Sequence, residues 1–153
     1  MWINISELKE WHLSIEKVVG GFEWLGFSKK SPEKMLCISS EKSTIFDCLS
    51  GFAEECGVNL YEERFIAVCD KLPGEEIVLS GQYGGRILHN TPKGEKVQIE
   101  TSPDFITTVT FITSKKKRNI IYSNYGYYTC GFSFDGQYFV FAQDAGLTIL
   151  KRK

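Results

Sequence analysis

The sequence predicts a mainly β domain, α+β by class: an antiparallel meander of short strands and hairpins with one amphipathic helix packed on it at the N-terminus. Three observations predict it. From Phe22 onward apolar residues fall in short runs with the period of a strand. Turn signals separate those runs: SSEKS, KLPGE, TPKGE, SKKKRN, FDGQ and QDAG. The first twenty residues instead place their apolar side chains at helical spacing.

The helix is expected first. Ser6 is a suitable N-cap, and Glu7 and Glu10 suit the positive end of a helix dipole. Leu8, Trp11, His12, Ile15, Val18 and Val19 form its apolar stripe, and Gly20-Gly21 ends it. A single helix cannot bury its own stripe, so it must lie on a sheet. The strands follow as GFEWLGFS, KMLCIS, STIFDCLS, RFIAVCD, EEIVLS, RILHN, KVQIE, FITTVTFIT, NIIYS, YYTCGFSF, QYFVFA and LTILK. Residues 47–58, DCLSGFAEECGV, suit either a strand or a short helix. No helical pattern separates the strands, which excludes a βαβ fold. No linker divides the chain, so residues 1–153 form a single domain.

Composition narrows the class of function. Of 153 residues, 42% are apolar, 24% charged and 14% aromatic, which excludes a disordered tail, a collagen-like repeat and a coiled coil. The net charge of −1 gives no global attraction to nucleic acid or an anionic membrane. No run approaches the roughly 18 apolar residues of a membrane span. The opening MWINISELKEWHL lacks the basic and apolar regions of a signal peptide, so a cytoplasmic location is expected. Cys37, Cys48, Cys56, Cys69 and Cys130 are odd in number and lack CxxC spacing, so they read as reduced, buried hydrophobes. With two histidines and no HxxxH, no metal and no cofactor are expected.

Catalytic patterns are weak. His12 reads as a core or boundary residue of the helix, and His89 as an exposed residue before a turn. A hydrolase would have to assemble scattered residues such as His89 or Cys69. Adjacent carboxylates in strands point to opposite faces and cannot share a substrate easily. The glycine-rich GQYGG at 81–85 is followed by a strand pattern, and a phosphate loop would need a helix there. Lys115–Arg118 reads as a charged hairpin tip, with RNA binding through the nearby tyrosines as the lesser reading.

Charge and aromatic content point to a protein partner instead. Residues 54–76 carry seven acids against two bases, a net of −5. Tyrosine suits protein interfaces because it offers a large, stiff, amphipathic surface. Tyr61 lies beside Glu62 and Glu63, and Tyr83 lies just beyond Glu75 and Glu76. The candidate partner-binding set is therefore Glu54, Glu55, Tyr61, Glu62, Glu63, Asp70, Glu75, Glu76 and Tyr83.

Two resemblances follow. Residues 131–153, GFSFDGQYFVFAQDAGLTILKRK, are similar to the inner strands of a β-propeller blade, through the Asp135-Gly136 turn and the apolar runs on either side of Asp144–Gly146. That resemblance implies propeller-like hairpins serving as a binding scaffold. In general character the chain resembles immunity proteins of bacterial toxin–immunity systems such as contact-dependent growth inhibition. The features that carry this are the single small domain, the acidic stretch and the tyrosines. It implies a non-enzymatic toxin inhibitor that binds one cognate toxin, with a basic nuclease domain as partner. An acidic surface would mimic the nuclease's substrate charge. The alternative is a scaffold that recruits a partner without inhibiting it. Membrane and nucleic acid are not expected partners, and the oligomeric state is open.

Overall fold

Pairing and burial decide which of these expectations hold. A computed structural model describes all residues, 1–153. Sixteen strands run in chain order: β1 (Trp11–Val18), β2 (Phe22–Phe27), β3 (Lys34–Ser39), β4 (Ser43–Asp47), β5 (Ala53–Cys56), β6 (Val58–Tyr61), β7 (Ile66–Cys69), β8 (Leu72–Val78), β9 (Ser80–Gly81), β10 (Gly84–Gly85), β11 (Lys96–Thr101), β12 (Thr107–Ile112), β13 (Arg118–Asn124), β14 (Tyr127–Phe132), β15 (Tyr138–Gln143) and β16 (Gly146–Arg152). One 3-10 turn, Glu62–Arg64, is the only helical element.

The strands form four antiparallel sheets stacked as layers. Sheet I is β11-β12-β13, sheet II is β1-β16-β15-β14, sheet III is β10-β9-β2-β3-β4-β5 and sheet IV is β6-β7-β8. Three apolar layers separate them. Phe111, Ile121, Phe139 and Phe141 join sheets I and II. Met35, Cys37, Val140 and Ile149 join sheets II and III. Trp24, Leu36, Ala67 and Ile77 join sheets III and IV.

Layer position explains the strand patterns. In β15, Phe139 and Phe141 face sheet I while Tyr138, Val140 and Ala142 face sheet III. All of β15 is buried, which is why QYFVFA is apolar almost throughout. In β3, Met35 and Cys37 face sheet II while Leu36 and Ile38 face sheet IV. The outer sheets keep the alternation of a half-buried strand: Val58 and Leu60 of β6 pack inward, and Asn59 and Tyr61 face out.

The fold is all-β, which corrects the α+β expectation, and no N-terminal helix exists. Its expected stripe belongs to β1 and the turns before it. Leu8 N–H donates to the Ile5 carbonyl and Trp11 N–H to the Leu8 carbonyl, so successive turns bring Leu8 and Trp11 to one side. A bulge in β1 lies between Leu13 and Ile15. Turns plus a bulge thus reproduce helical spacing without a helix. β1 pairs antiparallel with β16 and completes sheet II, and this edge pairing prevails over local pattern. His12, Leu13 and Val18 are exposed, so neither His12 nor Val18 belongs to a core stripe.

The expected strand RILHN makes only isolated bridges, Leu88 to Phe132 and Asn90 to Lys96. The ambiguous segment 47–58 is a turn followed by β5, with Asp47 accepting the Leu49 and Ser50 N–H groups. The start of β1 and the end of β16 meet at a buried ion pair. Arg152 makes a two-pronged contact with Glu95, which also accepts from Trp11 Nε1 at 2.9 Å and Thr91 Oγ1 at 2.8 Å. The guanidinium lies 4.5 Å from the centre of the Trp11 ring.

Candidate functional site

The outer face of sheet IV gathers part of the expected partner-binding set. Tyr61 pairs with Ile66, which pairs with Val78, so the three side chains form a row across the sheet. Phe65 precedes β7 in the left-handed backbone region at φ 53, where a bulky residue is strained. Its N–H donates to the Glu62 carbonyl at 3.1 Å, and its carbonyl accepts from Leu79 N–H at 2.8 Å. These bonds hold the strained turn. Beneath it lies Trp24, buried from solvent, with the Phe65 and Tyr83 rings each centred 5.8 Å away. Trp24 Nε1 has no hydrogen-bond partner. Tyr61, Phe65, Val78 and Tyr83 remain 43%, 36%, 45% and 61% exposed.

Acids rim this apolar surface. Glu62 and Glu63 are exposed in the 3-10 turn, and neither forms an ion pair. Glu76 reaches Arg64 at 3.5 Å across the exposed surface. The remaining expected residues are elsewhere. Glu54 and Glu55 lie on β5, the edge strand of sheet III, where Glu55 contacts Lys42 at 3.7 Å. Asp70 sits in the β7–β8 turn, at the end of sheet IV opposite Tyr61, and accepts from Gly57 N–H at 2.9 Å. Glu75 accepts from the Ser28 hydroxyl and from Lys29 N–H at 3.1 Å, so it closes a loop. The outer face of sheet IV thus keeps Tyr61, Glu76 and, newly, Val78, with Glu62 and Glu63 in the adjoining turn, while Tyr83 and Phe65 meet over Trp24 at the margin between sheets III and IV. The sequence contains one sign of Phe65's display, the Glu-Glu-Arg-Phe run between two strands; its positive φ is not written there.

Beside this face lies a cleft of about 350 Å³ lined by Phe27, Val78, Ile87, Leu88, Phe132 and Phe134, with Lys29, Arg86 and His89 at its edge. Burial and the Arg86 charge lower the His89 pKa from its ordinary value. No carboxylate, thiol or hydroxyl side chain lines this cleft with His89. Cys69 belongs to sheet IV, so the two suggested hydrolytic residues are not brought together.

The basic run is a hairpin tip. Lys117 contacts Glu7 at 3.0 Å and Arg118 donates to Gln98 at 2.6 Å. Tyr122 lies further along β13 with its hydroxyl on the Tyr125 carbonyl, so no aromatic platform adjoins the tip. All five cysteines are free thiols. Burial pushes the Cys37, Cys48 and Cys130 thiols up to about 12. One cluster could hold a metal: the Cys56 and Cys69 thiols and the Asp70 carboxylate lie within 4.8 Å of one another. The sequence hid it because the two cysteines come from separate strands with no metal-binding spacing.

Compared with known proteins, the chain matches no family model, no curated protein and no solved structure. No helix is long and apolar enough to cross a membrane.

Proposed function

We propose that this chain is a binding protein whose sheet IV face docks a partner protein with a basic surface, and that the partner is a toxin domain it inhibits. The observation that carries the reading is the set of exposed apolar side chains on and beside sheet IV, Tyr61 and Val78 across its outer face and Phe65 and Tyr83 over Trp24, with Glu62, Glu63 and Glu76 among them. Rigid aromatic anchors within a charged rim are how protein interfaces combine affinity with partner choice. Phe65 supports this, because its strained backbone leaves a large apolar ring 36% exposed at the margin of the Trp24 core contact. A nuclease must attract phosphate, so its active cleft is basic and complements this rim.

The test is association with the basic C-terminal domain of the exported protein encoded immediately upstream in the source genome. Tyr83→Ala should speed dissociation at least tenfold. Glu62→Lys with Glu63→Lys should slow association several-fold, the loss shrinking at high salt. The domain's nuclease activity should fall on binding. Binding unaffected by these substitutions, or a nuclease that stays active in the complex, contradicts the reading. A genome with no such domain upstream removes the toxin assignment.

A further inference from the structure

We propose that Cys56, Cys69 and Asp70 form a binding site for a thiophilic divalent cation, zinc by its chemistry, with water completing a tetrahedral set. Cys56 ends β5 at the edge of sheet III, and Cys69 ends β7 in sheet IV. Their thiols and the Asp70 carboxylate all fall within 4.8 Å of one another. Tetrahedral zinc, with zinc–sulfur bonds of about 2.3 Å, needs ligand atoms roughly 3.5–3.8 Å apart. Cys69 Sγ and Asp70 Oδ1 are 3.9 Å apart, so little movement is required.

The backbone around the site is already fixed. Gly57 N–H donates to Asp70 Oδ1 at 2.9 Å, and Asp70 N–H donates to the Gly57 carbonyl at 3.0 Å. This reciprocal pair locks the segment carrying Cys56 to the segment carrying Cys69 and Asp70. It also supplies the outer hydrogen bond that orients a ligating carboxylate. Cys69 is buried, Cys56 half-buried and Asp70 exposed, so the site has an apolar floor and a solvent-facing mouth. Cys37, Cys48 and Cys130 belong to no comparable cluster.

The chemistry balances without an oxidant. The cation takes two thiolates and one carboxylate, and the thiols release two protons to solvent. Ligand charge of −3 with a divalent cation leaves −1 at the centre. Because two thiol protons are released on binding, affinity rises steeply with pH. Thiolate ligands favour zinc or copper(I) over magnesium or calcium. The bound ion would join sheet III to sheet IV across their shared apolar layer.

The full chain, reduced with a non-thiol phosphine, is titrated with Co2+ as a spectroscopic stand-in for zinc. The expected result is one Co2+ per chain, with near-ultraviolet thiolate-to-cobalt charge transfer and visible bands of tetrahedral cobalt, bleached by Zn2+. Apparent affinity should rise about 100-fold per pH unit between pH 6 and 8, the slope for two released protons. Cys56→Ser should abolish the charge-transfer band, and Asp70→Asn should weaken binding about tenfold. Cys69→Ala is a further variant; because Cys69 is buried, the half-buried Cys56 carries the test if that variant fails to fold. No charge-transfer band in the reduced chain, or a band undiminished in Cys56→Ser, overturns the site. Air-oxidised chain with a Cys56–Cys69 disulfide, together with reduced chain that ignores Co2+, also overturns it.

Discussion

Arg152 and Glu95 are both almost fully buried and are held in a two-pronged ion pair with further bonds from Trp11 and Thr91. Breaking a buried pair leaves one charge without compensation. Arg152→Leu should therefore cost about 3–5 kcal/mol, read by urea denaturation. Burial alone would raise the Glu95 pKa, but the bonds from Arg152, Trp11 and Thr91 outweigh it and hold the carboxyl below its ordinary value. A depressed folded value means the unfolded chain binds the proton more readily. The resulting stability is full above the unfolded glutamate pKa of about 4.3 and is lost as pH falls through the folded value. Stability of Glu95→Gln, followed by urea denaturation from pH 6 to pH 3, should fall less steeply than that of the parent chain. Equal slopes would remove Glu95 as the acid-sensitive group. Neither residue was legible as a pair in the sequence. Glu95 sits in a TPKGEK turn and Arg152 in a basic terminus, and both look solvated until β16 reaches the loop before β11.

At the scale of the element, β1 separates the two readings of the N-terminus. A helix would bury Trp11 and Val18 on one stripe. The strand buries Trp11 against Phe111 and Phe132 and leaves Val18 76% exposed. Trp11→Ala should therefore cost about 3–5 kcal/mol, while Val18→Ala should stay within about 0.5 kcal/mol. Large losses in both variants would restore the helix. The strands after β1 were mostly legible, because β2, β3, β15 and β16 are short apolar runs and β12 alternates, each set off by turn signals. RILHN looked the same, yet residues 86–90 meet other elements only at isolated bridges. Sequence pattern measures which faces are apolar, but it does not supply the neighbouring strand that turns a run into a ladder.

Across the whole molecule, consecutive strands mostly pair with one another; β1 with β16, which closes sheet II, and β2 with β9 in sheet III are the long-range exceptions. Sheets II and III are buried on both faces, so the stack depends on close approach between layers. A Cβ on Gly26 would lie 2.2 Å from the Val78 carbonyl oxygen, where β2 meets the end of β8. Gly26→Ala should force sheet IV from sheet III and cost about 1–3 kcal/mol, with hydrogen exchange rising in β7 and β8 first. The stacking order was not written in the sequence. The sequence did place acids and tyrosines together between residues 54 and 83. Folding kept Tyr61, Glu62, Glu63 and Glu76 on sheet IV, placed Tyr83 in the β9–β10 hairpin over Trp24, and sent Glu54, Glu55, Asp70 and Glu75 elsewhere. Strand register made that selection, and register depends on partners that lie far apart in the chain.

The most direct measurement is a hydrogen-exchange footprint of the chain in complex with its basic partner. New protection is expected only in residues 59–66 and 76–84, the segments bearing Tyr61, Phe65, Val78 and Tyr83. Protection centred instead on the Lys115–Arg118 tip or on the cleft beside His89, with the outer face of sheet IV unchanged, would contradict it.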